Sequence, residues 1–247
     1  MSPRRPLLAA FVAALCLFSS SLALALAGTP VAPSGKIATE SRDARDFTGV
    51  ALAIPGTAVI RQGAPASVAI EADDNLLPEI ETVVERGVLK IRFKRPLKLG
   101  GRATIRLLVT GPAIESLAVA GSGDILAESI KARALDISVA GSGDVKIARL
   151  EAGSLKASVA GSGNIKAGGK VEDFSASIAG SGDIGTGPLE CRRAKVSIAG
   201  SGNVAVWARE SLNVSTTGSG DVSYYGDPAI TKRVIGSGAL KRLGSAP

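Results

Sequence analysis

The tetrapeptide Gly-Ser-Gly-Asp limits what this chain can become more than any other feature of its sequence. It begins at Gly121 and returns, with its last residue varied, at Gly141, Gly161, Gly180, Gly200, Gly218 and Gly236. The starts are 20, 20, 19, 20, 18 and 18 residues apart. A fixed period near 20 residues marks a solenoid, in which each repeat is one turn stacked on its neighbours. After the second glycine come Asp124, Asp144, Asn164, Asp183, Asn203 and Asp221, each followed by Ile or Val, while Ala239 takes that place in the seventh copy. One copy would mean little; seven in register are specific.

Before each turn the chain alternates apolar and polar residues, as in Leu135-Asp136-Ile137-Ser138-Val139 and Ala194-Lys195-Val196-Ser197-Ile198. Period-two alternation puts the first, third and fifth of these in a core. A second short strand follows the turn, as in Val145-Lys146-Ile147 and Val204-Ala205-Val206, and an apolar residue such as Leu150, Val171 or Leu189 closes the coil. The fold class predicted is all-β: a single-stranded parallel β-helix of about 18–20 residues per coil, right-handed like other parallel crossovers. A less regular N-terminal β region precedes it. Coils ~4.8 Å apart would stack like on like, so Val119, Val139, Val159 and Ile178 should share one column. Composition agrees: 45% of residues are apolar and 3% aromatic, so the core must be thin layers of Val, Ile, Leu and Ala. The 30 glycines read as tight turns rather than disorder, because alternation persists between them.

The repeat also supplies the candidate site. Its glycines mark a corner that needs positive φ or has no room for a side chain. Asp and Asn at such a corner bond to local backbone N–H groups. Ser122, Ser142, Ser162, Ser181, Ser201 and Ser219 form one ladder along the outside; Asp124, Asp144, Asn164, Asp183, Asn203 and Asp221 form another. Both are read as structural, and as a possible binding surface. Calcium is the competing reading of the acid column, but Asn interrupts it. Two like charges ~4.8 Å apart repel by only ~1 kcal/mol in water, so no metal or other cofactor is expected.

Residues 1–27 read as an export signal, with Arg4 and Arg5, an apolar run from Leu7 to Phe18, and Ala25-Leu26-Ala27 as the cleavage site. Lipidation at Cys16 is disfavoured by Leu15 before it, and the apolar run is short for a spanning helix. Cleavage leaves Cys191 alone, so no intramolecular disulfide can form. It also leaves 27 basic and 22 acidic residues, the 29 bases less Arg4 and Arg5, a mild excess that favours anionic partners. No transmembrane span is expected after the signal is removed. Residues 28–46 read as a flexible linker, 47–115 as the N-terminal β region, 116–240 as the repeat solenoid and 241–247 as a tail.

Within the N-terminal region, strands are expected at 47–54, 57–61 and 67–72. A charge reversal follows: residues 71–85 hold six acids and no base, residues 86–106 eight bases and no acid. Glu85-Arg86-Gly87 reads as a hairpin turn joining Ile80–Val84 to Val88–Phe93, with Leu89, Ile91 and Phe93 inward and Lys90, Arg92 and Lys94 outward. Pairing of acidic and basic strands accounts for this at ~0.2–1 kcal/mol per contact. The sharper alternative is a basic patch of Lys90, Arg92 and Lys94 for lipopolysaccharide, polysaccharide or nucleic acid. Interleaved aromatics for base stacking are missing, and nucleic acid is not expected as a partner.

Phe47 with the strands after it, the run Val88–Phe93, the repeated Gly-Ser-Gly-Asp/Asn-Ile/Val and the ending Gly218–Pro228 together resemble the head GIN domain family of bacterial auto-transporter adhesins. The resemblance covers about residues 47–240. It implies an exported β-helical domain with adhesion as its role, and it carries over no catalytic residues. Nothing after Leu240 resembles a translocating barrel, so self-transport is not expected.

The function expected is therefore a non-enzymatic, exported cell-envelope solenoid in the periplasm or at the cell surface. Its partners would be envelope or cell-surface glycans or proteins, or a second copy at the open end of the stack. The alternative is a polysaccharide-active β-helix enzyme using Asp carboxylates. The chain has no His, which excludes histidine acid–base or nucleophile pairs and disfavours hexapeptide acyltransferases. Ice binding comes last, since the exterior lacks repeated Thr arrays. Trp207, Tyr224 and Tyr225 read as a cap on the last coil or as sugar-stacking surface, and Cys191 as buried or weakly reactive.

Overall fold

The computed structural model describes residues 29–247; residues 1–27, read from the sequence as an export signal, and Cys16 among them lie outside the described residues. The N-terminal half contributes β1 (Thr29–Val31), β2 (Ile37–Arg42), β3 (Gly49–Leu52), β4 (Thr57–Gln62) and β5 (Ser67–Asp73). A 3-10 turn at Leu77–Glu79 leads to β6 (Ile80–Glu85), β7 (Val88–Phe93), β8 (Leu97–Leu99), β9 (Ile105–Gly111) and β10 (Ser116–Gly121). The repeats supply β11 (Asp124–Gly141), β12 (Val145–Gly161), β13 (Ile165–Gly180), β14 (Ile184–Gly200) and β15 (Val204–Gly218). β16 (Val222–Tyr225), β17 (Ala229–Gly236) and β18 (Leu240–Gly244) follow.

Each strand from β11 to β15 is a whole coil, running from one Gly-Ser-Gly to the next and pairing in parallel with the coils on either side. In β12 the buried set is Val145, Ile147, Leu150, Leu155, Ala157 and Val159. The alternation breaks at Ala148 and Arg149, which are both exposed; that break lets the strand bend around the far corner. Differences in coil length are absorbed there too. Ile147 faces Ala167, but Leu150 faces Gly169, so two residues of β12 pass over one of β13. The Gly-Ser-Gly corner stays in register throughout.

The column predicted from the sequence is present: Val119, Val139, Val159, Ile178 and Ile198 are cross-strand partners in succession. Each buries its side chain almost fully, worth about 1.5–3 kcal/mol apiece. Backbone donors and acceptors are satisfied coil to coil, which suits a core with few aromatic side chains.

The N-terminal region extends the same stack. β3 lies under β10 with Leu52 below Val119, and β4 under β11 with Ile60 below Ala127. One layer further out, β7 pairs with β3 and β9 with β4, again in parallel. The end is then closed by antiparallel strands: β6 on β7, β5 on β9, and β2 on β5. The expected hairpin is there, turning at Arg86 (φ 53°) and Gly87 (φ 76°), the left-handed pair that a two-residue hairpin loop requires.

Two boundaries differ from expectation. The stretch 28–46, expected as a flexible linker, contains β1 and β2, and β2 covers the edge of β5. The physical reason is Asp73. Its buried carboxylate accepts N–H groups from Gly35 at 2.8 Å and Thr104 at 3.1 Å, tying two loops together. The expected tail after Leu240 also starts as a strand, with Leu240 over Val222 and Lys241 over Ser223 in β18.

Candidate interaction surface

Two glycines shape each Gly-Ser-Gly corner in different ways. Gly141 has φ +125°, a conformation that L side chains rarely adopt. Gly143 is excluded from change by space: a Cβ there would lie 2.0 Å from the Gly123 carbonyl oxygen and 2.7 Å from Val119 Cγ1. Between them Ser142 is exposed, and its main-chain N–H donates to the Gly121 carbonyl at 2.8 Å. Ser122, Ser162, Ser181, Ser201 and Ser219 repeat that exposed placement coil by coil.

The Asp and Asn residues do more than settle their own turn. Asp144 N–H donates to Asp124 Oδ1 at 3.0 Å, and Asn164 N–H to Asp144 Oδ1 at 2.9 Å. The chain of bonds continues from Asp183 to Asn164 at 3.2 Å, Asn203 to Asp183 at 2.7 Å, and Asp221 to Asn203 at 3.1 Å. It ends with the Ala239 N–H on Asp221 Oδ1 at 2.8 Å. Each side chain thus holds the next coil, a role the sequence suggested only within a single turn. In the seventh copy Ala239 takes this place, and among the described residues no later corner lies above it. Among the described residues no group of three or more His, Cys, Asp or Glu side chains is placed to hold a metal ion.

Beside the corner lies a flat face. Ser138, Ser158, Ser177, Ser197 and Ser215 stand in one exposed or half-exposed column, with Ala140, Ala160, Ala179, Ala199 and Thr217 in the next outward one. On the other side of the corner, one open depression of about 400 Å³ is bounded by the Lys146–Lys166 column and Tyr225. Gly168, Gly185 and Gly187 leave its floor bare.

The basic hairpin is largely neutralised. Lys90 pairs with Glu85 at 2.5 Å, and Arg92 with Glu81 at 2.7 Å and Glu85 at 3.6 Å. Hydrogen bonding from Lys90 holds the Glu85 carboxyl below its usual range, and Arg95 does the same for Glu79. Lys94 is exposed, and only its through-space charge acts on Glu79. Lys90 and Arg92 therefore sit where strand pairing needs them, while Lys94, one residue past β7, has no ion-pair partner among the described residues.

A second ionic arrangement, missed in the sequence, spans three coils. Arg192 binds Glu172 at 3.0 Å on one side and Glu210 at 2.8 Å on the other, and Arg193 binds Asp173 through two nitrogens. A repeat spacing of 18–20 residues between acid and base was the signal that could have found it. Cys191 is buried, its thiol directed at the Trp207 carbonyl oxygen at 3.2 Å. Trp207 and Tyr225 are cross-strand partners, but β18 lies beyond Tyr224 and Tyr225, so among the described residues these tyrosines sit one layer in from the end and Trp207 two.

Residues 46–228 match the family described as "Putative auto-transporter adhesin, head GIN domain". No curated protein matches the chain. Among solved structures, an adhesin-named protein of Bacteroides fragilis superposes with a TM-score of 0.81 at 24% identity, over 86% of this chain and 100% of that one. A protein of Parabacteroides distasonis named for lipid binding gives 0.73 at 24% identity, over 87% of this chain and 100% of that one. An adhesin-named protein of Parabacteroides merdae gives 0.68 at 20% identity, with the same coverage. At these identities the likeness is one of fold. No helix among the described residues is long and apolar enough to cross a membrane.

Proposed function

The chain belongs to the head GIN domain family, and from that premise we propose that it is an exported, non-enzymatic module of the cell envelope that presents a rigid exterior to surface glycans or proteins. The observation that carries this reading is the use made of the acid column. From Asp124 to Asp221 each side-chain Oδ1 accepts the main-chain N–H of the coil above. The chemistry that recurs most regularly on the surface is spent on holding the stack. A glycan-cleaving enzyme instead needs two carboxyl groups set apart in their roles as acid and base or nucleophile.

What is left for recognition is the outward Ser column, the corner serines, and the depression between Lys146, Lys166 and Tyr225. Its volume falls at the lower end of the range for ligand sites. Its lining would suit a sugar that stacks on an aromatic ring and carries an acidic group. A position in the periplasm or on the outer surface follows from the export signal.

Cell fractionation combined with protease access from outside the intact cell tests the location. A cytosolic, protected protein would overturn the reading. Incubation with surface polysaccharides tests the chemistry: the expected result is retention without cleavage, weakened by Y225A. Turnover abolished by a single Asp→Asn substitution in the column would make the protein an enzyme instead.

A further inference from the structure

The coil at the C-terminal end is built unlike those below it. β17 lies on β15 with Ile230 over Leu212, Lys232 over Val214 and Val234 over Thr216. The column under Lys232 consists of Ile137, Ala157, Ala176, Val196 and Val214, all buried. A cation thus stands at the top of an apolar column, and every residue of β17 is exposed. Ile230, Val234, Ile235 and Leu243 are four of the seven large hydrophobic residues exposed among those described. From Ala229 to Pro247 the chain carries Lys232, Arg233, Lys241 and Arg242 and no acidic side chain. Among the described residues only Arg242 of these four has an ion-pair partner, Asp227 at 3.4 Å.

An apolar end face with unneutralised cations narrows what can cover it. A second copy stacked there would bury Lys232 in the column without a counter-charge, which is costly. A two-fold pairing would also set four cations against four. At the opposite end of the stack Glu81 and Glu85 on β6 are already paired with Arg92 and Lys90. A lipid surface differs from both. There a lysine stem lies among apolar groups while its ammonium reaches the phosphate layer.

We propose that the C-terminal end of the solenoid docks end-on to a bilayer bearing anionic phospholipid. Ile230, Val234, Ile235 and Leu243 enter the headgroup boundary, and Lys232, Arg233 and Lys241 meet the lipid phosphates. This inference does not rest on the adhesive reading: of the residues it uses, only Leu243 also lines the depression beside Tyr225. Each cation near an anionic bilayer contributes about fivefold to partitioning, so three together contribute about a hundredfold.

The test is flotation of the full chain with vesicles of phosphatidylcholine alone, or of three parts phosphatidylcholine to one part phosphatidylglycerol, at low and high salt. The expected result is co-flotation with the mixed vesicles only, weakened by salt and reduced about a hundredfold in K232Q/R233Q/K241Q. I235S, which keeps the charges, should weaken it several-fold. An unchanged melting curve shows that the variants remain folded. Equal binding to both vesicle types overturns the proposal, as does undiminished flotation of the triple variant. Inhibition by inorganic phosphate at millimolar concentration would point to a small-anion site and overturn it too. So would a concentration-dependent dimer of the wild type that K232Q/R233Q/K241Q alters, because the face would then belong to a second copy.

Discussion

Oδ1 of Asp144 accepts two hydrogen bonds from Asn164, one from its main-chain N–H and one from its side-chain amide, each at 2.9 Å. Asn203 does the same to Asp183, at 2.7 and 3.0 Å. Where Asp lies above Asn, only the main chain donates. Alternation from Asp144 to Asp221 therefore adds a bond at every second step and keeps like charges two coils apart. Asp124 below Asp144 is the exception.

Asn164→Asp should break that arrangement. It removes the amide donor, worth ~0.5–1.5 kcal/mol, and sets four carboxylates in a row from Asp124 to Asp183. Each new contact at ~4.8 Å costs ~1 kcal/mol in a water-like medium. A loss of roughly 2–3 kcal/mol is expected by denaturant unfolding, partly recovered in high salt. Asp124→Asn should act in the opposite sense. It keeps the Oδ1 acceptor for Asp144 and removes the adjacent pair of charges, for a gain of up to ~1 kcal/mol. Equal stabilities for the two variants would show that charge spacing does not govern the column.

Glycines of this chain should differ sharply in their tolerance of a methyl group. Gly143→Ala drives a Cβ into the Gly123 carbonyl oxygen and Val119 Cγ1, and neither can withdraw without separating two coils. Overpacking of this kind costs at least ~1–3 kcal/mol and often more against backbone. Gly185→Ala meets only Lys166 Cγ at 3.6 Å, an ordinary contact, and should be neutral within ~0.5 kcal/mol. Thermal unfolding of the pair checks the claim, and a stable Gly143→Ala would mean that the corner is looser than the stack requires.

How much of this was legible depends on range. The column Val119–Val139–Val159–Ile178 follows from a fixed period and an alternation, both local properties of the sequence. The hairpin at Arg86-Gly87 follows from turn chemistry. What could not be seen is what depends on a partner far along the chain. Asp73 looked like one acid in an acidic run, yet it binds Gly35 and Thr104. Residues 37–42 alternate weakly and looked like a linker until β5 offered them an edge. Arg192 was one cation among many because its two glutamates lie a full coil away on either side. The corner ladder was half visible. Its residues were plain, but an Asp that bonds the next coil rather than its own turn looks the same in sequence.

Acid should weaken both the hairpin end and the three-coil clamp. Hydrogen bonds from Arg95, Lys90 and Arg192 lower the carboxyl pKa values of Glu79, Glu85 and Glu210 respectively. Arg193 lowers that of Asp173. A carboxylate with a lowered folded value contributes stability that is fully present above its unfolded value, 4.5 for Glu, and is lost as pH falls through the folded one. The unfolding midpoint of the wild type should therefore drop below pH 4.5 more steeply than that of K90Q/R95Q or R192Q. Parallel curves for wild type and variants would show that these exposed pairs contribute nothing measurable.

Cys191 offers a probe of whether the stack opens coil by coil. Burial, with the charges of Asp173 and Glu190 adding to it, pushes its thiol up to about 12. The side chain is 1% exposed, and only the thiolate reacts with alkylating agents. At pH 8 the thiolate fraction should be about a thousandfold smaller than in the unfolded chain. Alkylation by iodoacetamide, read by mass spectrometry on the peptide that holds Cys191, should then be negligible in the native protein. With rising denaturant, labelling should follow the loss of β-sheet signal if β14 and its neighbours unfold as one unit. Labelling that precedes that loss would mean the coils around Cys191 separate before the rest, as a chain of nearest-neighbour contacts permits. The cooperative outcome is expected, because Arg192 and Arg193 tie β14 to the coils on both sides.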